Sequence, residues 1–424
     1  MIDFQQADTH QKQETRRELD MRILKIVAKG LPLYQNGMLE LDFYATDRVS
    51  KNEDGLTPDV TRLGNSGAIY SQNATGIVGV NASGKTTTLN LIDFIVSYLT
   101  DLSVSRHLAR EINRIGRVDE RLELFVVFWN DGAFYLLESA LQCEKDALRR
   151  SGCVHTDDLV FADETLWKYN STGLKRDTLN DLTAFKDNAT VLIRRNGDHK
   201  LDATVLTDEE RAFLGDRESI VFRVTGKRGG AVSRPEHVLP RESLPSPVLR
   251  AFDPSIESLS YDPELQVYHL TFHGEKERVM GPDAIPSFLS QGTIVGAEMV
   301  QFALQRLRDG GYMIIDEIDT SLNRSLVGVV IGLFTSPVTN PRGAQLVFTT
   351  HVPEILDELH RKDAVYVLRR DEDYNTEAVK YSDEIKRIEN KKSAAILRNA
   401  VRGSLPNYPD VQAMRLYVRE QLNG

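Results

Sequence analysis

Cysteine is scarce. Cys143 and Cys153 are the two cysteines in 424 residues, too far apart for a Cys-x-x-Cys metal or redox motif, so no zinc hook is available and they read as ordinary cytosolic thiols. Long apolar runs are missing too: none reaches the roughly 20 residues of a membrane span. Residues 8–18 are polar and charged rather than signal-peptide-like, so a cytoplasmic protein with no membrane segment is expected. Sustained heptads are absent, which excludes long coiled-coil arms, and internal repeats are not evident. Positive charge is not in excess either. With 62 acidic against 52 basic residues and a formal net charge of −10, the surface cannot coat nucleic acid indiscriminately, and any DNA contact has to be local. What is present is a 41% hydrophobic composition, enough for the cores of two or three ordinary domains.

The strongest positive signal is Gly79-Val80-Asn81-Ala82-Ser83-Gly84-Lys85-Thr86. Its two glycines, followed by Lys and a hydroxyl residue, fit the phosphate-binding-loop pattern. Residues 76–80 before it read as a short buried strand. Residues 87–98 after it read as a helix with Leu89, Leu91, Ile92 and Ile95 on one face. In that context Gly79, Asn81, Ala82, Ser83, Gly84, Lys85, Thr86 and Thr87 are the expected nucleotide-binding residues. The N–H groups of residues 81–85 wrap the β-phosphate at the positive end of a helix. Lys85 reaches the β and γ oxygens, and the Thr86 hydroxyl holds Mg²⁺. ATP and Mg²⁺ are the implied cofactors.

A second half of the site lies far down the chain. Tyr312-Met313-Ile314-Ile315-Asp316-Glu317 is an apolar strand ending in two carboxylates, and buried strands rarely end so without a cation to neutralise them. Asp316 is the expected metal-side acid and Glu317 the expected general base. Upstream, Ser290 and Gly292 stand just before a helical stretch, residues 294–307, which makes a second phosphate-binding surface that one nucleotide cannot easily share. Downstream, residues 343–350 read as a buried strand that delivers His351 at its C-terminal end, where open α/β sheets place their ligand chemistry.

Three segments follow: 1–120 with the glycine-rich loop, 121–250 as an inserted α+β region ending in a basic linker, and 251–424 with the acidic strand and His351. The fold class expected is α/β, a P-loop ATPase head with a mixed sheet plus the insertion. Within the insertion, residues 122–129 and 133–141 look like a hairpin. Residues 225–247, rich in Gly, Pro, Arg and Ser, read as a flexible connection carrying Lys227, Arg228, Arg234 and Arg241. Arg106, Arg110, Arg114 and Arg117 form a basic stripe at helical spacing, with Arg121 beyond it. The stripe is a candidate docking surface for an acidic partner, or a solvated face balanced by Glu111, Asp119 and Glu120.

Taken together, these motifs resemble the ABC-type ATPases. Residues 289–293, 315–322 and 341–351 look most like the OLD-like ATPases of bacterial abortive-infection systems, including the lactococcal and phage anti-restriction-induced (PARIS) systems. The resemblance implies that Ser290, Gln291 and Gly292 are a signature motif acting in trans on a partner's γ-phosphate. It also makes Ser321, Leu322 and Asn323 the D-loop, and His351 the switch histidine. It implies an ATP-dependent homodimer, a separately encoded toxin or nuclease effector, and a phage-encoded acidic trigger protein. Two features depart from the pattern: no glutamine loop follows the first helix, and Asn323 replaces the usual D-loop aspartate. A DNA-repair or chromosome-associated ABC ATPase, a transporter motor, and a binding module that uses ATP only to hold an oligomer together are the competing readings. About 70 residues follow His351, too few for an added nuclease domain, and Asp371-Glu372-Asp373 reads as a solvated turn.

Overall fold

The computed structural model describes residues 21–64, 69–100, 121–143, 159–195, 201–202, 219–221, 225, 232–236, 238–386 and 391–423. It is a mixed α/β structure. Its central sheet has six strands, ordered Val232–Ser233, Tyr312–Ile315, Gln345–Thr350, Ala74–Gly79, Val365–Arg370 and Thr376–Lys380. All neighbours pair in parallel except the last, which returns antiparallel. A parallel sheet covered on both faces needs strands that are apolar on both sides, and alternate residues here serve different cores. Ile77, Ile314 and Val347 pack on one face, while Val78, Met313, Ile315, Leu346 and Phe348 pack on the other.

The first face carries the helix Lys85–Thr100, which is buried nearly all round because it lies between two sheets. Beyond it stands a seven-stranded antiparallel sheet in which Met21–Lys29 pairs with both Met38–Asp42 and Arg121–Asn130. The hairpin expected near residues 122–141 is present as Arg121–Asn130 and Ala133–Cys143. It turns through Asp131 (φ 46°) and Gly132 (φ 84°), the paired positive φ values of a type I′ turn. The strands of the 121–250 segment therefore continue a sheet begun by the N-terminal strands, with Leu159–Tyr169, Ala189–Arg195 and Leu201–Asp202 completing it. Inside this layer Tyr98 donates to Glu164 at 2.5 Å, and Glu164 pairs with Arg195 at 3.6 Å. Burial pushes the Glu164 carboxyl up despite the Arg195 charge.

The other face of the central sheet carries the helices Gln291–Asp309 and Arg324–Thr335. A three-stranded sheet, Ile256–Asp262, Val267–Phe272 and Arg278–Met280, shares a core with Leu289, Ile294 and Ala297 and so braces the start of Gln291–Asp309. Within the stretch read as a flexible connection, residues 232–236 are docked rather than loose. Val232–Ser233 adds an edge strand, Arg234 pairs with the buried Asp93, and Glu298 accepts the N–H of Glu236 at 2.9 Å. These partners are far apart in sequence, so local composition gave no sign of them. Among the described residues no helix is long and apolar enough to cross a membrane.

Asp363, fully buried, ties the layers together just before the strand Val365–Arg370. It accepts from the backbone N–H of Thr46 at 2.8 Å and of Asp47 at 2.7 Å, and from Arg361 at 2.9 Å. Burial alone would push its carboxyl up, but the Arg361 guanidinium and the Asp47 N–H more than offset this and hold it below the usual carboxylate range. A carboxyl depressed in the folded state contributes stability that is complete above its unfolded pKa, near 4, and that disappears as pH falls through its folded pKa. Asp363→Asn should therefore cost about 3 kcal/mol at pH 7. In urea unfolding the gap from the parent should narrow below about pH 4.

Candidate functional site

Three parallel strands end side by side, and the site is built at those ends. Pairing of Ile315 with Phe348 and of Thr350 with Val78 fixes their register. Asp316, His351 and the loop beginning at Val80 therefore leave the sheet together at its C-terminal edge. The loop and His351 border a cleft of about 780 Å³ lined by Asn81, Ala82, Gly84, Lys85, Thr86, Thr87, Glu317, His351 and Arg370, with Asp316 bonded to Thr86 at its edge. The two halves of the site, more than two hundred positions apart in sequence, thus meet.

The loop is tightly built. A Cβ on Gly79 would lie 2.4 Å from the Leu368 carbonyl oxygen and 2.5 Å from Ser83 Oγ, so only glycine fits. Ser83 is buried beneath the loop. Its carbonyl accepts from Thr376 Oγ1 at 3.0 Å, and the Ala82 carbonyl accepts from Arg370. Lys85 is 6% exposed and donates to the carbonyls of Gly79 and Val80 at 2.9 and 3.1 Å. Burial pushes its ammonium pKa down, and the nearby carboxylates of Glu317, Asp316 and Asp319 recover part of that shift. An ammonium held between its own loop and three acids is positioned to meet an anion entering the cleft.

The acidic end is organised by a hydroxyl. Thr349 Oγ1 donates to Asp316 Oδ1 at 2.5 Å and accepts from the Glu317 N–H at 2.7 Å. The other Asp316 oxygen, Oδ2, accepts from Thr86 Oγ1 at 2.7 Å. The hydroxyl of Thr86 and the carboxylate of Asp316 are hard oxygen donors side by side, as a Mg²⁺ ion that keeps several waters requires. Among the described residues there is no group of three or more His, Cys, Asp or Glu that could hold a metal, so a cation here would rely on this pair, on water and on its ligand. Glu317 Oε1 lies 3.1 Å from His351 Nε2, and its Oε2 accepts from Thr320 at 3.3 Å. Both side chains remain partly open to solvent, 48% for Glu317 and 35% for His351.

Backbone strain marks the same places. Ala82, Glu317 and Ser321 adopt φ values of 60°, 51° and 63°, a region that residues with a Cβ enter rarely and that concentrates at functional sites.

The remaining expected residues lie elsewhere. Ser290 caps the helix Gln291–Asp309, its Oγ accepting from the Thr293 N–H at 3.0 Å. Ser290, Gln291 and Gly292 are not among the residues that line the cleft of their own chain. A Cβ on Gly292 would lie 2.8 Å from the Ser321 carbonyl oxygen, so this segment and the 321–323 turn pack together. Leu322 is partly buried against the core, and Asn323 caps the helix Arg324–Thr335, accepting from the Ser325 N–H at 2.9 Å. That cap gives the asparagine a structural role of its own. Arg106, Arg110, Arg114 and Arg117 lie outside the described residues, whereas Arg121 pairs with Glu123 at 3.1 Å and Asp163 at 2.9 Å. The Asp371–Asp373 segment is a turn, as expected, with Asp371 accepting from the N–H groups of Asp373 and Asn375.

Sequence reasoning missed Thr349, Arg370 and Thr376. Two consecutive threonines closing an otherwise apolar buried strand were a usable signal for the first. Arg370 and Thr376 gave none, because Arg370 is brought to the loop by the pairing of its strand with Ala74–Gly79, and Thr376 by the hairpin return opposite Arg370. Comparison with protein-family models and with curated proteins returned no match.

Thr349→Val keeps the side-chain shape but leaves the Glu317 N–H and Asp316 Oδ1 without their shared partner. The change should cost about 1–3 kcal/mol in chemical denaturation. An unchanged unfolding midpoint would show that the acidic turn does not rely on this hydroxyl.

Proposed function

We propose that this protein is an ATP hydrolase with an ABC-type P-loop head, acting as a sensor and scaffold ATPase in bacterial anti-phage defence. The observation that carries the hydrolase reading is the convergence of Lys85, Thr86, Asp316, Glu317 and His351 on one cleft at three adjacent strand ends. The defence role rests on the sequence resemblance to abortive-infection ATPases alone. In this reading Lys85 and the N–H groups of the loop bind the β- and γ-phosphates, and Thr86 with Asp316 holds Mg²⁺. The ion, when bound, neutralises charge that builds on the phosphate oxygens during phosphoryl transfer. Glu317 accepts a proton from the attacking water, and His351 orients Glu317 through the 3.1 Å contact and supports the γ-phosphate.

The signature segment supports a paired arrangement. Ser290 and Gln291 are exposed at the start of the helix Gln291–Asp309 and lie outside the cleft of their own chain. In a head-to-head pair each would meet the γ-phosphate held by the other chain. ATP then favours the closed pair because the shared phosphate is bound better there, and a shift from mostly open to mostly closed requires about 5.5 kcal/mol of differential binding. Hydrolysis removes the shared group and resets the pair. The destructive chemistry belongs to a separately encoded toxin or nuclease whose release or activation follows the state of the pair.

Glu317→Gln should lower ATP turnover by roughly 10²–10⁴-fold with ATP binding intact. In that background Mg²⁺ and ATP should convert monomer to dimer in sedimentation velocity, and adding Ser290→Arg should abolish the dimer. Turnover at the parent rate in Glu317→Gln would remove the general-base assignment, and a dimer indifferent to Ser290→Arg would remove the shared site.

A further inference from the structure

The cleft can grip phosphates, but the described residues that line it include no Phe, Tyr or Trp. Among them there is no flat apolar surface for a nucleotide base. One side of the cleft is lined by Arg370, which stands at the turn end of the hairpin between Val365–Arg370 and Thr376–Lys380. One guanidinium joins the two: Arg370 donates Nη2 to the Ala82 carbonyl of the loop and Nη1 to the Tyr374 carbonyl at 2.8 Å. Thr376 Oγ1 secures the same hairpin to the Ser83 carbonyl at 3.0 Å. Tyr374 thus sits at the tip of a turn that is fastened to the glycine-rich loop.

Two features of Tyr374 are unusual for a tyrosine in a hairpin turn. Its φ is 63°, a conformation that bulky residues avoid and that Gly or Asn would adopt at lower cost. The residue is 82% exposed, the most exposed aromatic among the described residues. A strained backbone that presents an unburied ring gains little in the isolated chain, and such strain gathers at ligand clamps. The turn is also held rather than loose, since Asp371 accepts from the N–H groups of Asp373 at 3.0 Å and Asn375 at 2.7 Å.

We propose that Tyr374 is the stacking platform for the base of the nucleotide, presented by the hairpin that Arg370 locks to the loop. The inference rests on the nucleotide reading above and adds the nucleoside half of the ligand. Stacking uses the face of the base rather than its edge, so ATP and GTP should bind comparably and both better than a bare triphosphate.

The test is titration calorimetry on the full chain with Mg²⁺ and ATP, GTP or inorganic tripolyphosphate. Tyr374→Ala should weaken ATP and GTP binding by about 5- to 150-fold and leave tripolyphosphate binding unchanged. Tyr374→Phe should restore both nucleotides, since the ring remains. Unchanged ATP binding by Tyr374→Ala overturns the proposal while the nucleotide reading stands. An equal loss for ATP and tripolyphosphate also overturns it, because the residue would then act through the loop. A parent chain that binds none of the three removes the underlying reading and this proposal with it.

Discussion

The strand Gln345–Thr350 lies between Tyr312–Ile315 and Ala74–Gly79, and its parallel pairing with both is the constraint from which the rest of the site follows. A parallel neighbour on each side fixes where all three chains leave the sheet. Asp316, His351 and the loop after Gly79 are therefore neighbours without further tuning. Thr349 on the same strand then sets detail, with one hydroxyl orienting the Asp316 carboxylate and holding the Glu317 backbone. Burial on both faces supplies the cohesion, because each of the three strands sends alternate side chains into different cores.

Electrostatic balance follows from that placement. Lys85 is buried and would shed its proton more readily were it not beside Glu317, Asp316 and Asp319. The carboxylates in turn are satisfied by hydroxyls: Thr86 and Thr349 serve Asp316, Thr320 serves Glu317, and Thr350 serves Asp319 at 2.6 Å. A set of donors and acceptors that satisfies itself in this way is preorganised, so phosphate oxygens and a divalent cation would exchange into existing hydrogen bonds. In the proposed cycle the Gly292 and Ser321 contact places the segment that would meet a partner's phosphate against the turn that follows Glu317.

Much of this was legible in the sequence, for identifiable reasons. The glycine-rich loop is a short-range pattern, and the helix after it announces itself by period. The acidic strand is an unbroken apolar run, and the strand before His351 has an apolar centre, Leu346 to Phe348, as strands buried on both faces require. Pairings between distant segments were not legible. Nothing local shows that Met21–Lys29 lies between Met38–Asp42 and Arg121–Asn130, or that Arg234 finds Asp93. The helix Lys85–Thr100 was expected to have one buried face, yet the second sheet buries the other. Arg370 reaches the loop because its strand pairs in parallel with Ala74–Gly79, Leu368 opposite Gly79, which brings the strand end beside Ala82.

The central claim is that the three strand ends form a cleft for a nucleoside triphosphate with Mg²⁺. Equilibrium dialysis of labelled ATP against the parent chain and Lys85→Ala, with and without Mg²⁺, tests it most directly. The account predicts saturable, Mg²⁺-strengthened binding by the parent and a loss of at least about tenfold in affinity for Lys85→Ala, from one charge-assisted contact. Equal binding by the two proteins, or none by the parent, would contradict it.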